Sequence, residues 1–136
     1  MSLQNVEVIR ALYEDWLRGD MGLDRLDPDI SMAEAEVLPG AVSARGFDAV
    51  KRYIESFTKH WDDIRFEPEE FIDAGDSVVV VARLVGTGKR SGVPVMHRWA
   101  YVWTVRGDKA LSMVGYADRA EALKAVGLGG SVRRGT

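Results

Sequence analysis

Apolar residues recur along this chain at two periods, and the change from one to the other divides it into elements. Val6, Ile9, Tyr13 and Trp16 fall 3, 4 and 3 apart, with Leu12 and Leu17 widening the stripe. That spacing predicts an amphipathic helix with Ser2 as N-cap and Gly19 as its stop. Phe47, Val50, Ile54, Phe57 and Trp61 repeat the pattern at 3, 4, 3 and 4 and predict a second helix ending in the acidic turn Asp62–Asp63. Between them, Gly19 to Pro28 reads as a turn and a short helical piece carrying Leu23 and Leu26, Ile30 to Val37 as a short strand, Leu38 to Gly40 as a turn, and 41–46 as a loop. The period then falls to two. Strands are expected at Phe66–Ile72, Ser77–Val85, Val95–Val105 and Lys109–Tyr116, joined by hairpins at Ala74–Asp76, Gly86–Gly92 and Arg106–Asp108. A closing helix is expected after Asp118, its N-cap, with Ala120, Leu123 and Val126 inward and Gly127 as stop, followed by a disordered tail at 129–136.

The stretch VMHRWAYVWTV, Val95 to Val105, holds two of the four tryptophans, one of the four tyrosines and one of the two histidines. Alternation puts His97, Trp99, Tyr101, Trp103 and Val105 on one face and Met96, Arg98, Ala100, Val102 and Thr104 on the other. Both faces are substantially apolar, so this strand needs cover on each side: helices and a pocket on one, a second subunit on the other. Strands grouped after helices and joined by hairpins indicate an α+β fold.

Composition narrows the function classes. At 136 residues, 46% apolar and 29% charged, the chain fits a single domain, taken as 1–128, with a real core. It has no cysteine, which removes disulfides, thiolate nucleophiles and Cys-based zinc sites. A net charge of −3 with scattered basic residues argues against nucleic acid as a partner. MSLQNVEVIR lacks the features of a signal peptide and no run is long enough for a membrane span, so a cytoplasmic location is expected. His60 and His97, 37 residues apart, carry no metal-ligand spacing, and GTGKRSG at Gly86–Gly92 joins two strands rather than opening a helix, so neither a metal nor a nucleotide cofactor is expected.

The GD at Gly19–Asp20, DPDI at Asp27–Ile30, RGFDAV at Arg45–Val50, FIDAGDSVVV at Phe71–Val80 and YVWTVRGDKAL at Tyr101–Leu111, in that order, resemble the SnoaL-like, ketosteroid-isomerase-related proteins of the nuclear transport factor 2-like superfamily. The resemblance covers about residues 3 to 126. It implies a conical α+β barrel, one strongly curved antiparallel or mixed sheet wrapped around three main helices, with a pocket at the open end and a homodimer formed through the outer sheet face. It fixes no reaction, because the family spans isomerases, cyclases, dehydratases, epoxide hydrolases and non-catalytic modules.

Carried over residue by residue, the resemblance implies Glu34 as general base, five residues beyond the second aspartate of DPDI. A carboxylate at the mouth of an apolar cone is desolvated, which suits it to that task. It places Tyr101 where the isomerases carry a protonated aspartate, one of the two donors of their oxyanion hole; a phenol also donates to a developing enolate. The first-helix tyrosine of the isomerases falls on Leu12, with Tyr13 about 100° away. His97 shares the face of Tyr101 and is the third catalytic candidate, as an orienter of Glu34 or else as a solvent-satisfied strand-entry residue. Tyr13, Trp16, Tyr53, Phe57, Trp99, Trp103 and Met113 are candidates for the pocket wall. Two functions stay open: cofactor-free proton transfer on a small apolar carbonyl compound (steroid, terpenoid or polyketide), or a ligand-binding or interaction module in which the aromatics simply fill the cone.

Overall fold

The computed structural model describes residues 3–34 and 43–128. Ser2, the end of the strand expected to reach Val37, the turn at 38–40 and the 129–136 tail lie outside the described residues. In chain order the elements are α1 (Leu3–Leu17), a 3-10 turn (Leu23–Arg25), β1 (Leu26–Glu34), β2 (Ser43–Arg45), α2 (Phe47–His60), β3 (Trp61–Ala74), β4 (Ser77–Gly88), β5 (Pro94–Arg106), β6 (Lys109–Tyr116) and α3 (Arg119–Ala125). The strands form one six-stranded sheet in the order β2-β1-β6-β5-β4-β3. All neighbours are antiparallel except β1 and β6, which run parallel. Three helices and a curved mixed sheet make the conical α+β fold that the resemblance implies.

The inner core follows from the apolar stripes. Val6, Ile9, Leu12 and Tyr13 of α1 and Val50 of α2 are buried against Ile30, Met32, Val78, Val80, Tyr101, Trp103 and Met113 of the sheet. Each such aliphatic or aromatic side chain contributes roughly 1.5–3 kcal/mol on leaving water, which is what holds helices to a curved sheet. Gly19 ends α1 in the left-handed region at φ 84°, as its position requires. Gly46, at φ 87°, donates its N–H to Ile30 O at 2.8 Å and so fastens the start of α2 to β1.

Strand β5 divides as its alternation requires. Trp99, Tyr101, Trp103 and Val105 pack into the inner core, and Ala100 and Val102 into a second cluster with Val79 and Val81. That second cluster is covered within the chain, by Ala122 and Leu123 of α3, so the apolar character of this face does not by itself call for a second subunit. Asp118 caps α3, accepting from Glu121 N at 2.9 Å. The inward alanine of α3 is Ala122, whereas Ala120 is exposed.

Four expectations are corrected. Residues 43–45 form a strand, because Ser43–Arg45 finds hydrogen-bonding partners on β1. Leu26 opens β1 rather than closing a helical piece. Strand β4 runs on through Gly88, and α2 stops at His60, so Trp61 belongs to β3, where it pairs with Gly88. The acidic pair is therefore in a strand: Asp62 opposes Thr87, Asp63 takes φ 53°, and the ladder slips between Asp62 and Arg65. Gly86 explains why the strands come so close there. A Cβ on it would lie 3.4 Å from the Asp62 carbonyl oxygen and from Ile64 Cα.

Candidate functional site

Between α1, α2 and the inner sheet face lies a cavity of about 160 Å³. Its floor is Tyr13, Met32, Tyr101 and Met113, all buried. Tyr53 and Ile54 of α2, Trp16 of α1 and Phe66 of β3 form the walls, and Gly19–Met21 with Ile64 and Arg65 form a rim that includes the exposed side chains of Asp20 and Arg65. The rim is built to hold its shape. Trp16 donates its indole N–H to Met21 O at 2.8 Å, and Asp20 Oδ1 accepts from Gly22 N at 2.7 Å.

Below the rim, buried Asp15 binds the guanidinium groups of Arg18 and Arg25. Hydrogen bonding to Arg25 holds the Asp15 carboxyl below its ordinary range against the effect of burial. Asp27 is pinned in the same way: Arg106 donates to both its oxygens, at 3.0 and 2.7 Å, and Asp29 N donates at 2.8 Å. These contacts lower its pKa.

The registers place Glu34, Gly115 and Tyr101 side by side across β1, β6 and β5. Two strand spacings, about 10 Å, separate the outer pair. Gly115 is what joins them, because the Tyr101 ring lies over it, with Cε1 3.4 Å from where a Cβ would be. The negative charge of Glu34 acts on both Tyr53 and Tyr101, although Glu34 is not among the residues that line the cavity. Burial pushes Tyr53 up to about 12, with the Glu34 charge adding to the effect. Tyr101 is raised well above the ordinary phenol range by burial first, and then by Tyr13, Tyr53 and Glu34. Both phenols are therefore protonated donors at neutral pH.

Tyr101 is 9% exposed, lines the cavity, and makes no hydrogen bond to another described residue. The hydroxyl is left to whatever fills the cavity, water or a ligand, which makes it a ligand-facing donor. Tyr13 also faces the cavity, and its oxygen accepts from Trp103 Nε1 at 3.1 Å.

Of the residues singled out in the sequence, Tyr13, Trp16, Tyr53, Tyr101 and Met113 come together around one cavity. Trp103 stands behind it, at 0% exposure. Trp99 packs at the edge of the core, with its ring 4.6 Å from that of His97. His97 is exposed and lies four residues along β5 from Tyr101, roughly 13 Å at the usual strand rise, so it meets Trp99 and solvent rather than the cavity. The Phe57 side chain lies outside what the structure describes. The sequence did not single out Met21, Met32, Ile54, Ile64 or Arg65, all of which line the cavity.

Among the described residues no group of three or more His, Cys, Asp or Glu is placed to hold a metal, and no helix is long and apolar enough to cross a membrane.

A nuclear transport factor 2-like protein from Burkholderia pseudomallei is 26% identical to this chain, with a TM-score of 0.73 over 93% of this chain and 98% of that one. The protein TerC, crystallised with polyporic acid, is 25% identical, with a TM-score of 0.72 over 91% of this chain and 98% of that one. A protein of ketosteroid isomerase-like fold from Catenulispora acidiphila, solved in complex with trimethylamine, shares the fold at 16% identity, with a TM-score of 0.70 over 94% and 98% of the two chains. No curated protein matches. The family model described as the SnoaL-like domain matches residues 9–113, and the chain belongs to that family.

Proposed function

We propose that this SnoaL-like protein binds a small, largely apolar carbonyl compound in the cavity and moves a proton on it without a cofactor. The observation that carries the reading is the Tyr101 hydroxyl, which faces the cavity, makes no hydrogen bond to another described residue and stands in line with a carboxylate on the same sheet face. In the proposed step the Glu34 carboxylate takes a proton from the carbon next to the carbonyl. The C–H electron pair moves into a C–C double bond, and the carbonyl oxygen becomes an enolate held by the Tyr101 O–H. Protonated Glu34 then returns the proton to the same carbon or to a conjugated one. His97 has no part in this step.

The volume restricts the substrate. At about 160 Å³ the cavity is roughly half the low end of the range for sites that enclose a drug-sized molecule. One or two fused rings, as in a small terpenoid or an aromatic polyketide fragment, suit it better than a four-ring steroid. TerC, crystallised with polyporic acid, supports a small-molecule ligand for this fold.

A second reading, a binding module without turnover, is favoured by one observation: Glu34 is not among the residues that line the cavity. A homodimer is part of the proposal, with the exposed Val93, Val95 and Met96 at the start of β5 as the apolar surface for it; sedimentation at micromolar concentration tests it.

The test of function is a thermal-shift screen of ring ketones, enones, aromatic polyketides, terpenoids and epoxides. A ligand at a hundred times its Kd adds about 2.7 kcal/mol of stability, or roughly 5 °C or more here. Hits confined to carbonyl compounds, lost in Tyr101→Phe, support the proposal; hits on epoxides alone, or none, contradict it.

A further inference from the structure

Trp103 is the largest fully buried side chain of the sheet, and one atom of it has a task beyond packing. Its indole N–H donates to the Tyr13 oxygen at 3.1 Å, with the rings edge-to-face at 6.0 Å and 80°. An indole nitrogen only donates, so the Tyr13 oxygen is the acceptor in this contact. Among the described residues Tyr13 makes no other hydrogen bond, so its own hydroxyl proton has no acceptor there. Tyr13 is 1% exposed and lines the cavity that Tyr101 also lines. The hydrogen bond from Trp103 also works against the burial that raises the Tyr13 pKa, and so keeps the phenol a stronger donor than an unsupported one would be.

We infer that Trp103 is a positioning residue: its indole N–H commits the Tyr13 hydroxyl to donating into the cavity, so that Tyr13 and Tyr101 together select ring compounds by a single acceptor oxygen. The inference rests on the cavity being the ligand site. It specifies the substrate class as cyclic ketones, whose carbonyl oxygen accepts two hydrogen bonds, and it sets hydrocarbons of the same shape aside. Tyr101 supplies the free hydroxyl, whereas Tyr13 owes its orientation to a residue that never meets the ligand.

The probes are α-tetralone and tetralin, which share a two-ring skeleton and differ in one carbonyl oxygen. Both are titrated by calorimetry into the unaltered protein, Tyr13→Phe, Trp103→Phe and the double variant. The unaltered protein should prefer the ketone by about tenfold, the worth of one or two net hydrogen bonds. Trp103→Phe should cut that preference to about threefold while leaving tetralin affinity unchanged, and the double variant should lose no more preference than Tyr13→Phe alone. The carbonyl stretch of bound tetralone should move to higher wavenumber in Trp103→Phe, a signature that loss of packing does not produce. Should Trp103→Phe fail to fold, the Trp103 indole proton resonance serves instead: it should shift when tetralone binds the unaltered protein and stay in place with tetralin. Equal losses for both probes in Trp103→Phe, additive losses in the double variant, or an indole resonance indifferent to the carbonyl would overturn the role of Trp103 and leave the cavity as the ligand site. Failure of both probes to bind the unaltered protein would overturn the site and the inference together.

Discussion

Two sets of polar side chains on buried residues occur in this chain, and they are treated in opposite ways. Asp15 and Asp27, each 6% exposed, have their oxygens occupied by arginines or main-chain N–H groups. Tyr101 and Tyr13, at 9% and 1%, keep protons that no described residue accepts. The first set fastens elements to one another: Asp15 ties the end of α1 to the 3-10 turn, and Asp27 ties β1 to the end of β5. The second set faces the cavity. A carboxylate held by arginines adds to the stability of the fold, whereas a phenol that faces a cavity keeps its proton for whatever enters it.

The difference shows most strongly with pH. The carboxyls of Asp15 and Asp27 are depressed in the folded state, so the stability they contribute is present above the ordinary carboxylate pKa and is lost as the pH falls below about 4. The phenols of Tyr13, Tyr53 and Tyr101 are raised, so the folded state holds their protons more tightly than the unfolded chain does. Their contribution is present below pH 10 and is lost as the pH rises from about 10 towards 12, the value for Tyr53. Urea midpoints measured across the pH range should fall at both ends. Tyr53→Phe should flatten only the alkaline limb and Asp15→Asn only the acid one; a variant that flattens both would erase the distinction.

At neutral pH, Asp15→Ala should lower stability by about 2 kcal/mol, the usual worth of hydrogen bonds to a charged group, and the melting temperature by roughly 5 °C. Gly22→Ala should follow at about 1–2 kcal/mol. Gly22 sits at φ 68°, and an added Cβ would come 2.6 Å from Leu12 Cδ1 beneath the rim. Tyr101→Phe should leave the melting temperature unchanged within a degree or two, because it removes a cavity-facing hydroxyl that makes no hydrogen bond to another described residue. A fall of several degrees would mean that the hydroxyl is structural.

The phenol side of this contrast was partly legible in the sequence, because long periodic elements declare their faces, whereas nothing in it marked Asp15 or Asp27 as arginine-bound. The α1 stripe, the two sides of β5 and the Asp118 cap follow from residue types at fixed spacings, and Tyr101 and Tyr53 reach the cavity through those faces. Other features depend on partners far along the chain. Strand β2 has three residues and no alternation of its own, so only its pairing with β1 makes it a strand. Trp61 continues the helical spacing of α2, yet the backbone leaves the helix to pair with Gly88, and that shift brings Ile64 and Arg65 to the cavity.

Counting along a motif also fails by one residue on α1. Leu12 and Tyr13 are both buried, and the longer side chain reaches the cavity. Met32 carries a signal in its position, since it stands two residues before Glu34 and shares its sheet face. His97 shares a face with Tyr101, but the cavity ends before it.

The proposed reaction is proton transfer between Glu34 and a carbonyl compound held by Tyr101. The most direct test is exchange of the protons next to the carbonyl of α-tetralone in deuterated buffer, followed by nuclear magnetic resonance. The unaltered protein should speed exchange well beyond buffer, Glu34→Gln should abolish the acceleration while retaining the melting temperature and tetralone binding, and Tyr101→Phe should weaken both binding and exchange. Binding of tetralone with exchange no faster than in buffer would contradict it and leave a ligand-binding module.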